Sequence, residues 1–174
     1  MSTKVRILGI DPGSRCTGYG VIDSDGFRHS HVCNGYVRIS GDDIAGRLGV
    51  IFTEVSALIA EWQPDVMAIE QVFMNRNADS ALKLGQARGA AICAGVNAGL
   101  TVGEYTPRAI KKAVTGQGAA DKNQMQQMMQ ILLELDELPQ SDAADALAIS
   151  LCHANHLHVR SNGIARGVKR GRWV

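Results

Sequence analysis

Four acidic side chains occupy positions from which they could act together on one substrate. Asp11 ends the apolar run at residues 5–10, and Glu70 ends a second apolar run, VMAIE. Asp142 and Asp145 are three residues apart at the start of a predicted helix, so they share one face of it. A buried carboxylate destabilises a fold unless it has a partner. Taken singly, each acid also has an ordinary explanation in turn chemistry, ion pairing or the helix dipole.

As a set, the four carboxylates predict a site for divalent cations. Brought to one point, they would repel each other and raise one another's pKa, which a cation relieves. An all-oxygen cluster suits Mg²⁺, or Mn²⁺ in its place, rather than zinc. Two such ions about 4 Å apart can hold the attacking and leaving oxygens of phosphoryl transfer. We therefore predict a phosphodiester substrate, with these acids as metal ligands and catalytic groups.

The elements that must position these acids can be read from the hydrophobic pattern. Strands are predicted at residues 5–10, 18–24 and 27–39, with a hairpin turn at Asp25-Gly26. Later elements are a helix from Asp42 or Asp43 to about Trp62, a strand at 66–70, a helix at 79–99, a strand at 101–105, and helices at 107–115, 122–135 and 141–156. This order predicts an α/β fold whose mixed sheet, an antiparallel three-strand meander plus two parallel strands, is flanked by helices.

The predicted sheet explains why two strands end in an acid. If the first and fourth strands are parallel neighbours, their carboxyl ends lie side by side. Open α/β sheets bind ligands at that edge. Asp11 and Glu70 would therefore face the same ligand. Either Ser141 or Asp142 is expected to cap the last helix.

Length and composition place these elements in one domain. The 174 residues are 45% hydrophobic, which is enough for a substantial core. No apolar run approaches the roughly 20 residues that span a bilayer, and no signal peptide is recognised. The four cysteines form no CxxC pair, which argues against a zinc site and a disulfide framework. We expect free thiols, a cytoplasmic protein and no membrane partner.

Charge is distributed unevenly along the chain. All 17 acidic residues lie at or before Asp145, where 13 basic residues leave a net charge of −4. Beyond that position there are five basic residues and no acid. We predict a globular domain at residues 1–156 and a basic, flexible tail at 157–174. Binding to a polyanion and simple solvation explain this tail about equally well.

Three stretches of the sequence resemble one known family. ILGIDPGSRCTGYGVI, AIEQVFMNRNADSALKLGQARGAA and DAADALAIS follow one another at the separations seen in the RuvC family of Holliday junction resolvases. The resemblance covers residues 5–153. It implies a ribonuclease H-like fold, and it places the family's four catalytic acids on Asp11, Glu70, Asp142 and Asp145. The tail matches none of these motifs.

The same resemblance implies a specific activity. RuvC-like enzymes are Mg²⁺-dependent homodimers that nick four-way DNA junctions symmetrically, leaving 5′ phosphate and 3′ hydroxyl ends, in DNA recombination and repair. The family also suggests branch-migration helicase subunits as partners. We expect two Mg²⁺ ions per subunit, with Mn²⁺ able to substitute.

Several residues near the acids are predicted to bind DNA. Phe73 could pack under the next helix, but the resemblance implies that it touches the bases of the junction. Arg76 and Lys112 suit contacts with phosphates. The resemblance places Lys111 and Lys122 along the DNA path, and Lys122 could also stabilise charge on the transition-state phosphate. The alternative for each of these charges is a solvated surface position.

A small-residue stripe on the second predicted helix has two interpretations. Its members repeat every four residues: Ala81, Gly85, Gly89 and Cys93. The stripe could pack closely on its own sheet, or it could form the dimer interface that the family implies. A C2 dimer would match the symmetry of a four-way junction. The histidines at 153, 156 and 158 form no clean metal face and are expected at the surface.

Three alternative functions are compatible with parts of the sequence. The GIDPGS and TGYG segments also resemble the phosphate-binding hairpin of the sugar kinase, actin and Hsp70 superfamily. That superfamily uses two such domains and a second phosphate motif, which this chain lacks. A noncatalytic junction-binding protein would be expected to lose a carboxylate. A small RNA-processing nuclease of the same fold is not separated from a DNA enzyme by residue chemistry alone.

Overall fold

The computed structural model describes residues 4–73, 77–116 and 118–161, with side chains described up to residue 157. A five-stranded mixed sheet forms the centre of the molecule, in the order β3-β2-β1-β4-β5. The first three strands are antiparallel neighbours, whereas β1, β4 and β5 run parallel to one another. The strands are β1 (Val5–Asp11), β2 (Cys16–Ser24), β3 (His29–Arg38), β4 (Val66–Glu70) and β5 (Thr101–Tyr105). The predicted mixed sheet is confirmed.

Helices cover both faces of this sheet. They are α1 (Ile44–Trp62), α2 (Ala78–Asn97), α3 (Pro107–Thr115), α4 (Lys122–Leu132) and α5 (Ser141–Ser161). The first two helices pack over one face and the last three over the other. Alternation along the strands separates the two cores: Ile7 contacts the α3–α5 side, whereas Leu8 and Ile10 contact the α1–α2 side. Within the described residues, no helix has the length and apolar character needed to cross a membrane.

Glycines allow α5 to lie directly on the sheet. A Cβ atom added at Gly9 would fall 2.2 Å from the carbonyl oxygen of Ala146, and one at Gly18 would fall 2.0 Å from that of Asp142. No side chain tolerates such distances, so only glycine fits these positions. The Ser150 hydroxyl donates a 2.8 Å hydrogen bond to the Gly20 carbonyl at the same contact. These contacts fix the start of α5 against β1 and β2.

Some predicted boundaries were wrong for local reasons. β3 begins at His29 rather than 27, because the Asp25 carboxylate accepts hydrogen bonds from the next turn residues, Phe27 and Arg28. α4 ends at Leu132 rather than 135, and Glu134 takes a left-handed φ of 51°. α5 continues to Ser161, beyond the predicted end at 156. Residues 162–174 of the predicted tail lie outside the described residues, so the tail stays a prediction.

His153 does not lie at the surface as expected. It is only 8% exposed, and its Nδ1 atom lies 2.9 Å from the Tyr105 hydroxyl. The ring packs against β5, where a Cβ added at Gly103 would fall 2.6 Å from Nδ1. His153 therefore contributes to the contact between α5 and β5. His156, in contrast, is exposed as predicted.

Candidate active site

Asp11 and Glu70 lie side by side at one edge of the sheet. Ile10 pairs with Ile69 in the parallel register of β1 and β4, so the two acids occupy the next positions along their strands. Side chains alternate along a strand, which directs Asp11 to the face of Ile7 and Gly9 and Glu70 to the face of Val66. That is the face covered by α3, α4 and α5. The sheet thus presents both carboxylates towards the last helix.

The start of α5 brings the other two acids to the same place. Gly18 is the antiparallel partner of Asp11, and the backbone of Asp142 lies directly over Gly18. Asp145 is one helical turn further on and half-buried. The four predicted acids therefore meet where β1, β4 and α5 converge.

Gln140, and not Ser141 or Asp142, caps α5. Its side-chain oxygen accepts hydrogen bonds from the backbone N–H groups of Asp142 at 2.8 Å and Ala143 at 3.2 Å. Its backbone carbonyl accepts the N–H of Ala144 at 2.8 Å. The predicted caps were wrong, and the Asp142 carboxylate is consequently not used to satisfy the helix end.

Burial, together with repulsion between negative charges, raises the pKa of Asp11, Glu70 and Asp145. Burial raises the pKa of Asp11 to about 8, and repulsion from Asp145, Glu70 and Asp142 adds to the shift, against a smaller opposing effect of Lys122. Burial also raises the pKa of Glu70 and of Asp145, and in Glu70 repulsion from Asp145 adds to it. The acids are thus one electrostatically coupled group.

Two lysines line a groove beside these carboxylates. Its walls contain Lys111 from α3 and Lys122 from the start of α4, together with Glu70 and Asp145. Both lysines oppose the upward pKa shift of Asp145, and Lys111 opposes that of Glu70. Lys112 is exposed and does not line this groove.

The carboxylates fit a hard divalent cation by their chemistry, although they do not form a closed coordination shell. In residues 4–73, 77–116 and 118–161, no group of three or more His, Cys, Asp or Glu side chains is arranged to hold a metal ion. The donor set is nevertheless all oxygen, and its mutual repulsion is what a divalent cation would offset. The residues that would hold such an ion are Asp11, Glu70, Asp142 and Asp145.

The segment after Glu70 presents an aromatic side chain to solvent. Phe73 is 59% exposed, so it does not pack under the following helix. Large exposed aromatic side chains often mark binding surfaces, and an aromatic face can stack on an unpaired base. Arg76, the other predicted contact in this segment, lies outside the described residues.

Arg88 and Cys16 also contact residues of this site, and neither role was predicted from the sequence. The Arg88 side chain on α2 donates from Nε to the Glu70 carbonyl at 2.9 Å and pairs with Glu104. The Cys16 thiol lies beside Asp142. Burial, followed by a hydrogen bond to that carboxylate, raises the pKa of the thiol to about 11. These contacts join residues that are distant in sequence, so no local pattern predicts them. The cap by Gln140 was missed for another reason, because glutamine is not a typical cap residue.

The stripe on α2 does not pack on its own sheet. The helix turns Ala87, Ala91 and Ala94 towards the core. A Cβ atom added at Gly85 or Gly89 would meet no described atom within 4 Å. Of the two interpretations, close packing within the subunit is wrong.

Two glycines of the β1–β2 hairpin, Gly18 and Gly20, lie directly against α5. The position above Gly18 is filled by Asp142, and a Cβ atom at Gly20 would fall 2.8 Å from Leu147. The face of this hairpin that carries those glycines is therefore covered by α5.

Comparison with known proteins gives a consistent family match. The sequence model described as "Crossover junction endodeoxyribonuclease RuvC" matches residues 7–153. The protein of that name from Aliivibrio salmonicida (strain LFI1238) is 56% identical over 169 residues, covering 96% of this chain and 98% of its own length. The protein of that name from Tolumonas auensis (strain DSM 9187 / NBRC 110442 / TA 4) is 52% identical over 168 residues, covering 95% and 97%.

Solved structures show the same fold. The structure of "T. thermophilus RuvC in complex with Holliday junction substrate" superposes with a TM-score of 0.82 at 33% identity, covering 90% of this chain and 97% of that one. The yeast mitochondrial Holliday junction resolvase Ydc2 gives a TM-score of 0.64 at 12% identity, covering 90% and 82%. Because the identity to Ydc2 is only 12%, this similarity shows a shared fold and nothing about function.

Proposed function

The chain belongs to the RuvC family of crossover junction endodeoxyribonucleases, and we propose that it resolves four-way (Holliday) DNA junctions by paired, symmetric, metal-dependent nicking. The products would carry 5′ phosphate and 3′ hydroxyl ends, and the process served would be DNA recombination and repair. The observation that carries this proposal is the convergence of Asp11, Glu70, Asp142 and Asp145 at one edge of the sheet, with three of their pKa values raised.

The four carboxylates would hold Mg²⁺, with Mn²⁺ able to replace it. When bound, two such ions per subunit would supply the Lewis acidity that generates the nucleophile and stabilises the leaving oxygen. The chain's own contribution is a rigid scaffold: β1 and β4 fix two carboxylates, and the first two turns of α5 fix the other two. Because α5 lies directly on Gly18, the helix cannot shift without disturbing the sheet.

The lysines of the groove are assigned to the phosphate. Lys122 adjoins Asp145 and would donate to the phosphoryl oxygens as negative charge develops in the transition state. Lys111 would hold the DNA backbone in the same groove. Lys112 and Arg76 are assigned to phosphates further along the strand, where they add affinity without sequence preference.

Phe73 is assigned to the bases. The crossover of an uncut four-way junction can leave bases unpaired, and the exposed ring of Phe73, three residues after Glu70, can stack on one of them. The energy of stacking would fix the scissile phosphate at the acids. Recognition of the junction would otherwise depend on shape and backbone charge, so that binding falls steeply with salt.

A homodimer would place two such sites on one junction. The exposed small residues of α2 are proposed as the contact, since a C2 pair matches two-fold related scissile phosphates. Branch-migration helicase subunits are proposed as further partners. A cytoplasmic location is also proposed, and the proposed DNA substrate and the free cysteines support it.

A nicking assay tests this function. Purified protein is incubated with a synthetic four-way junction, a linear duplex and an RNA–DNA hybrid, in Mg²⁺ and in Ca²⁺. We expect paired symmetric cuts on the junction alone, and only in Mg²⁺. Binding without cutting would reassign the protein as a junction-recognition protein, and preference for the hybrid would move it to another branch of the fold.

Asp142→Asn tests the site itself. The amide keeps the shape of the carboxylate but loses its charge, so cleavage should be abolished while junction binding is retained. Normal nicking by this variant would show that the site assignment is wrong.

A further inference from the structure

The Asp142 carboxylate is held by the residue that caps its own helix. Nε2 of Gln140 donates a 3.0 Å hydrogen bond to Oδ2 of Asp142, while Oε1 of the same amide accepts the N–H groups of Asp142 and Ala143. One side chain thus caps the N-terminus of α5 and also orients an acid of the site. Glutamine is not among the residues usually preferred as N-caps. Capping alone therefore does not explain a glutamine at this position, whereas the hydrogen bond to Asp142 does.

We propose that Gln140 is a positioning residue that fixes the Asp142 carboxylate for divalent-cation binding and cleavage. This proposal depends on the function proposed above. Partners of ligating carboxylates orient them, and loss of such a partner typically costs about 10–100-fold in metal affinity or activity. The amide is suited to this task, because it donates without adding a charge that would compete with the cation.

The geometry separates this role from capping. The oxygen of the amide accepts from the helix backbone and its nitrogen donates to Asp142, so the contact with Asp142 can be removed while the cap is kept. Gln140→Ser keeps an oxygen that can cap the helix but lacks an amide nitrogen that reaches Asp142. Gln140→Ala removes both. Gln140→Thr, which offers the same cap oxygen as serine, provides an independent copy of the decisive variant.

Gln126 supplies the matched control. Its Nε2 donates a 2.8 Å hydrogen bond to the carbonyl of Pro139, the residue directly before Gln140. Gln126→Ala therefore removes a glutamine hydrogen bond from the same loop without removing a contact with an acid. Three quantities are measured on the full chain: the melting temperature, single-turnover junction cleavage, and Mn²⁺ binding from the electron paramagnetic resonance signal of the free ion.

We expect Gln140→Ser and Gln140→Thr to melt close to the wild-type protein while binding Mn²⁺ and cleaving about 10–100-fold less well. Gln140→Ala should show the same losses and also a lower melting temperature. Gln126→Ala should bind Mn²⁺ normally. If the serine and threonine variants bind and cleave like the wild type, Gln140 is only a cap and the proposal is overturned.

Asp142→Asn, measured in parallel, separates this proposal from the one on which it depends. If Asp142→Asn binds Mn²⁺ and cleaves like the wild type, Asp142 is not part of the site. The proposed role of Gln140 then fails together with the proposed function of the site. Loss in Asp142→Asn together with wild-type behaviour of Gln140→Ser would overturn the positioning role alone.

Discussion

At the scale of single residues, Asp11 shows how the site conflicts with stability. The carboxyl is held in the folded protein with a pKa of about 8, compared with about 3.9 in an unfolded chain. The folded state therefore binds this proton more tightly than the unfolded state does. Its contribution to stability is complete below about pH 4 and is lost as the pH rises towards 8. Charged Asp11 destabilises the fold unless a cation is bound.

Asp11→Asn should remove the destabilisation caused by the charged Asp11 carboxylate. We expect a higher melting temperature than wild type at pH 9 in EDTA and little difference at pH 4, measured by circular dichroism. The gain should exceed about 1.4 kcal/mol, because each pKa unit corresponds to about that energy and the pKa of Asp11 lies well over one unit above its unfolded value. Added Mg²⁺ should stabilise the wild type at pH 9 but not Asp11→Asn. A difference independent of pH would contradict the assignment of the shift to Asp11.

Phe73→Ala tests the base-stacking role at the same scale. Because the ring is exposed, its removal should leave the melting temperature nearly unchanged. Loss of stacking is worth about 1–3 kcal/mol, which corresponds to junction cleavage slower by roughly 5–150-fold. The measurement is single-turnover cleavage. Phe27→Ala, at an exposed aromatic ring in the β2–β3 turn, is the matched control. Equal effects of the two variants would refute a specific role for Phe73.

At the scale of elements, the contact of α5 with β1 and β2 decides the geometry of the site. Two of the four acids belong to the sheet and two to the helix, so the distance between helix and sheet sets the distance between the pairs. The glycines at 9, 18 and 20 reduce that distance to direct backbone contact. Their role in this protein is therefore helix packing.

Gly18→Ala should disrupt this contact. The new methyl group would overlap the Asp142 carbonyl, which is backbone and cannot rotate away. We expect a loss of about 1–3 kcal/mol or more in unfolding free energy, because overpacking forces backbone shifts. Urea denaturation measures it. Gly49→Ala on α1 is the control: it meets no described atom within 4 Å and should be neutral or stabilising by up to about 1 kcal/mol. Similar stability of both variants would argue against tight packing at Gly18.

The helix α3 presents two adjacent lysines to different surroundings. Lys111 lines the groove with Glu70, whereas Lys112 is exposed. Lys111→Met should slow cleavage by about 10-fold or more, as expected when a positioned charge is removed from an active site. Lys112→Met should mainly reduce the salt dependence of junction binding, by about 0.9 in the log–log slope for one lost phosphate contact. Cleavage kinetics and binding titrations in varied salt provide the test. If both variants changed the cleavage rate and the salt dependence to the same extent, the different roles assigned to Lys111 and Lys112 would be wrong.

At the scale of the whole molecule, the outward face of α2 is the surface proposed for contact with a second copy. Gly85 and Gly89 leave space above the helix, while the alanine side of the same helix fills the core. The helix thus serves folding with one side and is available for assembly with the other. Arg88 connects this helix to the backbone of Glu70, so the proposed interface and the site share a structural element.

Gly85→Leu should block assembly without harming the subunit. A leucine side chain has room in the monomer and favours helix formation more than glycine. We expect sedimentation velocity to show a monomer with a normal circular dichroism spectrum, and paired nicking to be lost. Gln127→Leu, which adds the same side chain to the exposed face of α4, should remain dimeric. An unchanged dimer in Gly85→Leu would place the interface elsewhere.

Much of this organisation was determined by the sequence itself. The apolar run that ends at Glu70, the short strand pattern at residues 101–105 and Pro107 at a helix start are local signals. They predicted β4, β5 and α3 with the bounds that the structure has. The acids at strand ends and the i,i+3 pair were also visible, because a parallel sheet brings strand ends together whatever the details of packing.

Only the tertiary structure decided how these parts meet. Gln140 caps α5 through contacts that residue type does not favour, and His153 is buried because β5 has a glycine beneath it. The direct contact of Asp142 with Gly18 joins positions more than a hundred residues apart. The pKa of Asp11 is raised by burial and then by repulsion, in part from the equally distant Asp142 and Asp145. Such effects depend on distances between distant segments and on burial. No local pattern in the chain carries that information, since both arise only when the helix has packed on the sheet.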